Sequence, residues 1–291
     1  MNPGKSELTP GLYLVATPIG NARDITLRAL DILAQADVLA AEDTRSLRRL
    51  MEIHGIAPGI RPILAYHDHN GDRMRPRLLD EVAAGRSVAY ASEAGTPVIS
   101  DPGFDLVRAA REKGLPVTTA PGAVAAAAAL TLAGLPTDRF LFAGFLPSTG
   151  SARKKAMRDY TGLAATLVFY ESPRRLAAML QDAADVLGAD RPAAVCREIT
   201  KKFEETRRGS LAELAQFYAD APPKGEIVVL IGKGSSDSVS EIDLESEVKA
   251  ALQSMSVRDV ADHVSARHGV KRRMVYQLAM RLSQSEDGPD A

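Results

Sequence analysis

The sequence predicts an α/β protein of two domains, followed by a small helical module. Three observations carry this reading. Short apolar runs alternate with helical patterns, the order expected of a mostly parallel sheet covered on both faces. The chain has 291 residues, too long for one ordinary domain and suited to two. A polar Gly/Ser run, GKGSSDSVS at 232–240, then sets off a basic helical tail.

Each element follows from its local pattern. Leu12 to Ala16 reads as a buried strand. Thr26 stands as a helix N-cap before Leu27, Leu30 and Leu33 at helical spacing. Val38 to Ala41, Ile63 to Ala65, Val88 to Ala91 and Val117 to Thr119 are further strands, with helices at Thr44 to His54, Met74 to Ala84 and Phe104 to Lys113 between them. After Pro121 an alanine-rich helix, Ala123 to Ala133, opens a second series. Its strands are Phe140 to Ala143, Thr166 to Tyr170, Ala193 to Cys196 and Ile227 to Ile231. Leu176, Leu180, Ala183 and Leu187 mark one helix face, with Ser172 as N-cap and Pro173 in the first turn. In the tail, Val257, Val260, Ala261 and Val264 form one stripe and Met274, Leu278 and Ala279 another. Two short helices around His268-Gly269 suggest a helix-turn-helix. The expected organisation is 1–120, 121–234, and a linker with tail at 235–291.

Composition narrows the function. With 45% hydrophobic and 25% charged residues, the chain can build a sizeable core. A net charge of −1 excludes general polyanion binding and leaves only local basic patches. Those patches are Arg45, Arg48 and Arg49; Arg153, Lys154, Lys155 and Arg158; Lys201 and Lys202; and Lys271, Arg272 and Arg273. Without Trp, any RNA contact does not rest on broad aromatic stacking. A single cysteine, Cys196, fits a reducing compartment, and MNPGKSELTP carries no apolar signal core. A cytoplasmic protein without a membrane segment is expected. The five histidines are scattered, so no metal site is expected. GxGxxG, GxSxG and the P-loop pattern are all absent, which sets aside a common NAD site and the commoner hydrolases and nucleoside triphosphatases.

Five loops hold the remaining signal. TPIGNARD (17–24) follows the first strand, where parallel sheets bind ligands, though taken alone it reads as a plain turn. SEAGTPVISDPG (92–103) concentrates Gly, Pro, Ser and Asp, and suits a cofactor with a neutral base and an amino-acid moiety. Within it, Asp101 also reads as a helix cap. FYESPR (169–174) offers Tyr170 as a cover for an adenine or a sulfonium, or as a half-buried strand-end aromatic. REITKKFEETRRG (197–209) reads by default as a solvated, ion-paired surface. Lys224-Gly225-Glu226 precedes the last strand, where glycine lets backbone approach a ligand.

LYLVATPIGNARDITLRAL, AAEDTR, SEAGTPVISDPG, the Pro121-Gly122 helix start, FLFAGFLP, FYESPRR, REITKKFEE and KGEIVV occur in that order over residues 11–231. Together they resemble the tetrapyrrole-methylase family (class III methyltransferase fold), in its branch acting on a cytidine ribose 2′-oxygen in small-subunit ribosomal RNA. The resemblance implies two α/β domains with S-adenosylmethionine in the cleft between them, and usually a homodimer. By position, Pro18, Gly95, Thr96, Pro97, Ile99, Ala123, Ala125, Tyr170, Lys224, Gly225 and Glu226 would meet the cofactor. Glu93 stands where the family motif usually has aspartate, which keeps the charge and lengthens the reach.

Transfer from a sulfonium is an in-line displacement that needs orientation above all. A ribose hydroxyl must also lose its proton, and Glu198, Asp101, Glu171 and Lys224 are the candidates to take it, each with an ion pair or a cap as its alternative role. The expected partner is small-subunit ribosomal RNA or the small subunit itself. Two rival readings stand beside this one: methylation of a tetrapyrrole or other small acceptor, and a non-enzymatic RNA-binding assembly factor built on the tail helices.

Overall fold

A computed structural model describes residues 8–67, 69–100, 103–234, 241–268, 270 and 272–286. The chain forms two compact units. The first takes Met1–Thr131 and Arg197–Glu205; the second takes Leu132–Cys196 and Thr206–Ala291.

In the first unit, β1 (Gly11–Val15), β2 (Val38–Ala41), β3 (Ile63–Ala65), β4 (Ser87–Ala91) and β5 (Val117–Ala120) form a sheet of order β3-β2-β4-β1-β5. Each of these neighbouring pairs is parallel. β2 and β4 are buried at every position, as strands covered on both faces must be. Alternation along β1 feeds two cores. Tyr13 and Val15 join Ala29, Leu33, Leu47 and Met51 from α1 (Leu27–Gln35) and α2 (Thr44–Ile53). Leu12 joins Leu78, Val82 and Leu106 from α3 (Gly71–Ala83) and α4 (Phe104–Glu112). Thr26 caps α1 as its position predicts: its hydroxyl oxygen accepts from the Ala29 amide at 3.1 Å. α5 (Ala125–Ala133) follows β5.

The second sheet is mixed. β6 (Phe140–Phe145), β7 (Thr166–Glu171), β8 (Pro192–Arg197), β9 (Glu205–Ser210) and β10 (Ile227–Ile231) lie in the order β6-β7-β10-β8-β9. β6 and β7 run parallel, whereas β10 is antiparallel to β7. Leu167, Phe169 and Val229 bury against Met157, Leu180 and Leu214 from α6 (Gly150–Arg158), α7 (Leu176–Leu187) and α8 (Leu211–Asp220). α6, β9 and α8 have no counterpart in the sequence reading. β9, ETRRGS, carries too many charges to show a strand pattern. The Ser210–Glu213 capping box that starts α8 was legible in principle. The start of α7 is also corrected. Ser172 is not its N-cap; Arg175 is, its guanidinium pairing with Glu171 and donating to the Leu146 carbonyl.

At the end of the chain, α9 (Glu241–Leu252), α10 (Val257–His268) and α11 (Arg272–Glu286) share a core of Leu244, Val248, Val260, Val264, Val275 and Ala279. Among the described residues no helix is long and apolar enough to cross a membrane, and no group of His, Cys, Asp or Glu is placed to hold a metal.

Candidate active site on the first unit

Because β1 and β4 are neighbours, the loops that follow them emerge side by side at the carboxyl edge of the sheet. They are tied there by backbone bonds. The Thr17 amide donates to the Gly95 carbonyl at 2.8 Å, and the Gly95 amide donates back at 3.1 Å. The Thr17 hydroxyl donates to the Ser92 carbonyl, and the Ser92 hydroxyl to the Gly95 carbonyl at 2.7 Å. Gly95 has φ +81°, a conformation in which a Cβ is strained. A third loop joins through Thr96, whose hydroxyl donates to the Ala123 carbonyl at 3.0 Å.

The fourth partner comes from residue 197 onward. A Cβ at Gly20 would sit 2.5 Å from Thr200 Oγ1 and 2.9 Å from the Ile199 carbonyl, so glycine permits a close crossing. The Asn21 amide donates to Thr200 Oγ1. Val98, Ser100, Glu198 and Thr200 all have positive φ, the kind of strain that collects at functional loops. The charged segment read as plain surface is therefore partly a wall of this loop cluster. Nothing in the sequence joins positions 20 and 200; only the fold does.

Beside the loops lies a cavity of about 520 Å³. Thr17, Pro18, Gly20, Ser92 and Glu93 from the loops line it, together with Asp43 and, from α2, Arg45, Arg49, Leu50 and Ile53. Asp43 caps α2, accepting from the amides of Arg45 (2.7 Å) and Ser46 (3.4 Å). The Arg45 guanidinium beside it, with those amides, holds its carboxyl down at about 2.

Of the residues expected to meet the cofactor, Pro18, Gly95, Thr96, Pro97, Ile99 and Ala123 belong to the first unit's loops, and Ala125 begins α5. Gly95 and Pro97 are buried and Ile99 is exposed. These loops offer small side chains and turning backbone, which suits a ligand recognised by its shape. Glu198 stands in the 197–205 segment, ion-paired with Lys201 at 3.1 Å. Asp101 and Lys271 lie outside the described residues.

In the second unit, Tyr170 meets Phe142 and Phe145 edge to face. Glu171 is buried, pairs with Arg175 at 3.1 Å and accepts from the Ser172 amide. Lys224, Gly225 and Glu226 are exposed just before β10.

The basic clusters separate. Arg45, Arg48 and Arg49 are exposed on α2. Lys155, Lys202, Arg272 and Arg273 are exposed, with Arg272 paired to Asp262. Lys154 and Lys201 are partly covered. The reading of Arg153 is corrected: it is 4% exposed and bonded to Asp182 at 2.6 Å, so it is scaffold rather than RNA-facing surface.

Comparison with known proteins fits this geometry. The family model for Tetrapyrrole (Corrin/Porphyrin) Methylases matches residues 11–215, and that for the RsmI C-terminal HTH domain matches 239–283. The chain is 44% identical to the ribosomal RNA small subunit methyltransferase I of Mesorhizobium japonicum, over 97% of this chain and 96% of that protein. Against the protein of the same name from Halalkalibacterium halodurans, identity is 42%, over 92% and 93%. The fold is similar to that of uroporphyrin-III C-methyltransferase from Thermus thermophilus, solved with S-adenosylhomocysteine. There the TM-score is 0.54 at 21% identity, over 76% of this chain and 97% of that one.

Proposed function

This chain belongs to the tetrapyrrole (corrin/porphyrin) methylase family, and from that premise we propose that it methylates small-subunit ribosomal RNA at the ribose 2′-oxygen of a cytidine. It is an S-adenosylmethionine-dependent methyltransferase. The observation that carries the RNA reading is the extent of the likeness. The ribosomal-RNA methyltransferase relative is matched over 97% of this chain, whereas the tetrapyrrole-methylating neighbour is matched over 76%. A helix-turn-helix module at 239–283 lies beyond the stretch that the methylase family model matches.

The first unit's part in the site is Pro18, Gly95, Thr96, Pro97, Ile99, Ala123 and Ala125 as cofactor contacts. The family resemblance adds Tyr170, Lys224, Gly225 and Glu226 of the second unit. S-adenosylmethionine, when bound, supplies an activated methyl group on a sulfonium. The protein then orients the acceptor hydroxyl and takes its proton. Of the four candidate bases, Glu171 and Glu198 each hold an ion pair, with Arg175 and with Lys201. Glu198 adjoins the Gly20–Thr200 crossing and is the first to test; Asp101 and Lys224 follow. We assign 1–120 and 121–234 to methyl transfer and 235–291 to RNA contact, in a cytoplasmic homodimer.

The test is transfer of labelled methyl groups to small subunits that lack the modification, run beside a corrinoid precursor. Label in the ribosomal RNA is expected. Label only in the corrinoid supports the small-acceptor reading instead.

A further inference from the structure

Apart from Pro18, none of the cofactor contacts named above lines the cavity beside the loops. We infer that it seats one unstacked nucleotide of the RNA substrate, its flanking phosphates on Arg45 and Arg49 and its base against Leu50 and Ile53. The inference rests on the RNA reading and names where the strand docks.

Size comes first. About 520 Å³ lies within the usual range of small-ligand pockets, roughly 300–1,000 Å³. Chemistry comes next. Leu50 and Ile53 stand one turn apart on α2, both lining the cavity, and Ile53 is 51% exposed. An apolar pair of this kind can pack against the face of an unstacked base. Arg45 and Arg49, four residues apart, share a helix face and line the same cavity.

Their present partners are easily exchanged. Arg45 pairs with Asp43 at 3.0 Å and Arg49 with Glu52 at 2.7 Å, and both guanidinium groups are largely in solvent. Exposed pairs of this kind contribute little, whereas guanidinium–phosphate contacts are charge-assisted and bidentate. The α2 amides are not the anion site, because Asp43 already caps them. Glu93 also lines the cavity and offers an acceptor to a ribose hydroxyl. The polar groups beneath are fixed, since the Thr17 and Ser92 hydroxyls are bonded to loop carbonyls. A single-stranded segment fits better than a duplex, because a stacked base cannot enter a pocket.

The experiment compares the wild type with the double variant Arg45→Ala/Arg49→Ala, using unmodified small subunits as acceptor. KM for the small subunit should rise roughly tenfold or more while kcat stays within about twofold. The slope of log(kcat/KM) against log salt should flatten by about 1.4, from two lost single-strand phosphate contacts at about 0.7 each. Calorimetry should give unchanged affinity for S-adenosylmethionine, and Arg45→Lys/Arg49→Lys should recover part of the loss. Ile53→Asp should raise KM as well.

Unchanged KM and salt slope in the double variant overturn the inference. A fall in S-adenosylmethionine affinity matching the rise in KM also overturns it, by giving the pocket to the cofactor. A wild-type protein that methylates no small subunit sinks the RNA reading itself, and this inference with it.

Discussion

Arg45, Arg48 and Arg49 on α2 and Arg153, Lys154 and Lys155 on α6 are both short cationic runs on helices. On α2 the three arginines are exposed and the cap, Asp43, lies beside them. On α6 the first cation turns inward to Asp182, and Lys154 bridges Asp182 and Asp185. A cation within reach of a buried carboxylate on a packed neighbour becomes framework. One on a helix beside an open cavity stays available. What divides the clusters is the element packed opposite, which a local sequence window does not contain.

Arg153→Ala leaves Asp182 buried with only Lys154 beside it, and should cost about 3 kcal/mol in denaturant unfolding. It should leave the salt slope of methyl transfer unchanged. A stability change under about 0.5 kcal/mol, the range of a surface substitution, would put Arg153 back on the surface. Next comes Gly122→Val in the first unit, where a Cβ would sit 2.7 Å from the Ala16 side chain. About 1–3 kcal/mol is expected, together with weaker S-adenosylmethionine binding by calorimetry.

Asp43→Ala removes the α2 cap and should cost about 1 kcal/mol at neutral pH. The folded carboxyl titrates below its ordinary value, so its contribution is full above 3.8 and fades as pH falls toward about 2. Wild type and variant should therefore converge in stability across that interval in a pH series of unfolding curves. Arg45→Ala is the smallest change for the fold. Its thermal melt should overlay the wild type, while its effect on acceptor KM is clear.

Much of the first unit was legible in the sequence. Its central strands β1, β2 and β4 are buried, largely apolar runs, and Thr26 announced α1 by its hydroxyl and the leucines after it. The loops at 17–24 and 92–103 stood out through Gly and Pro at strand ends. Their joining was not legible, because Thr17 and Gly95 meet through backbone atoms that any residue carries. Thr200 was missed because its hydroxyl meets Gly20 and Asn21 across a long stretch of chain. In the second unit, charged letters hid β9, and Arg153 looked like surface because its partner lies on a different helix.

The most direct test of the whole account reads the chemistry of the product. Small subunits labelled by this enzyme are digested with alkali, which cleaves RNA only where the 2′-oxygen is free to attack. The label is expected in an alkali-resistant dinucleotide whose first residue is cytidine. Label in an alkali-released mononucleotide, carried on a base, would contradict it.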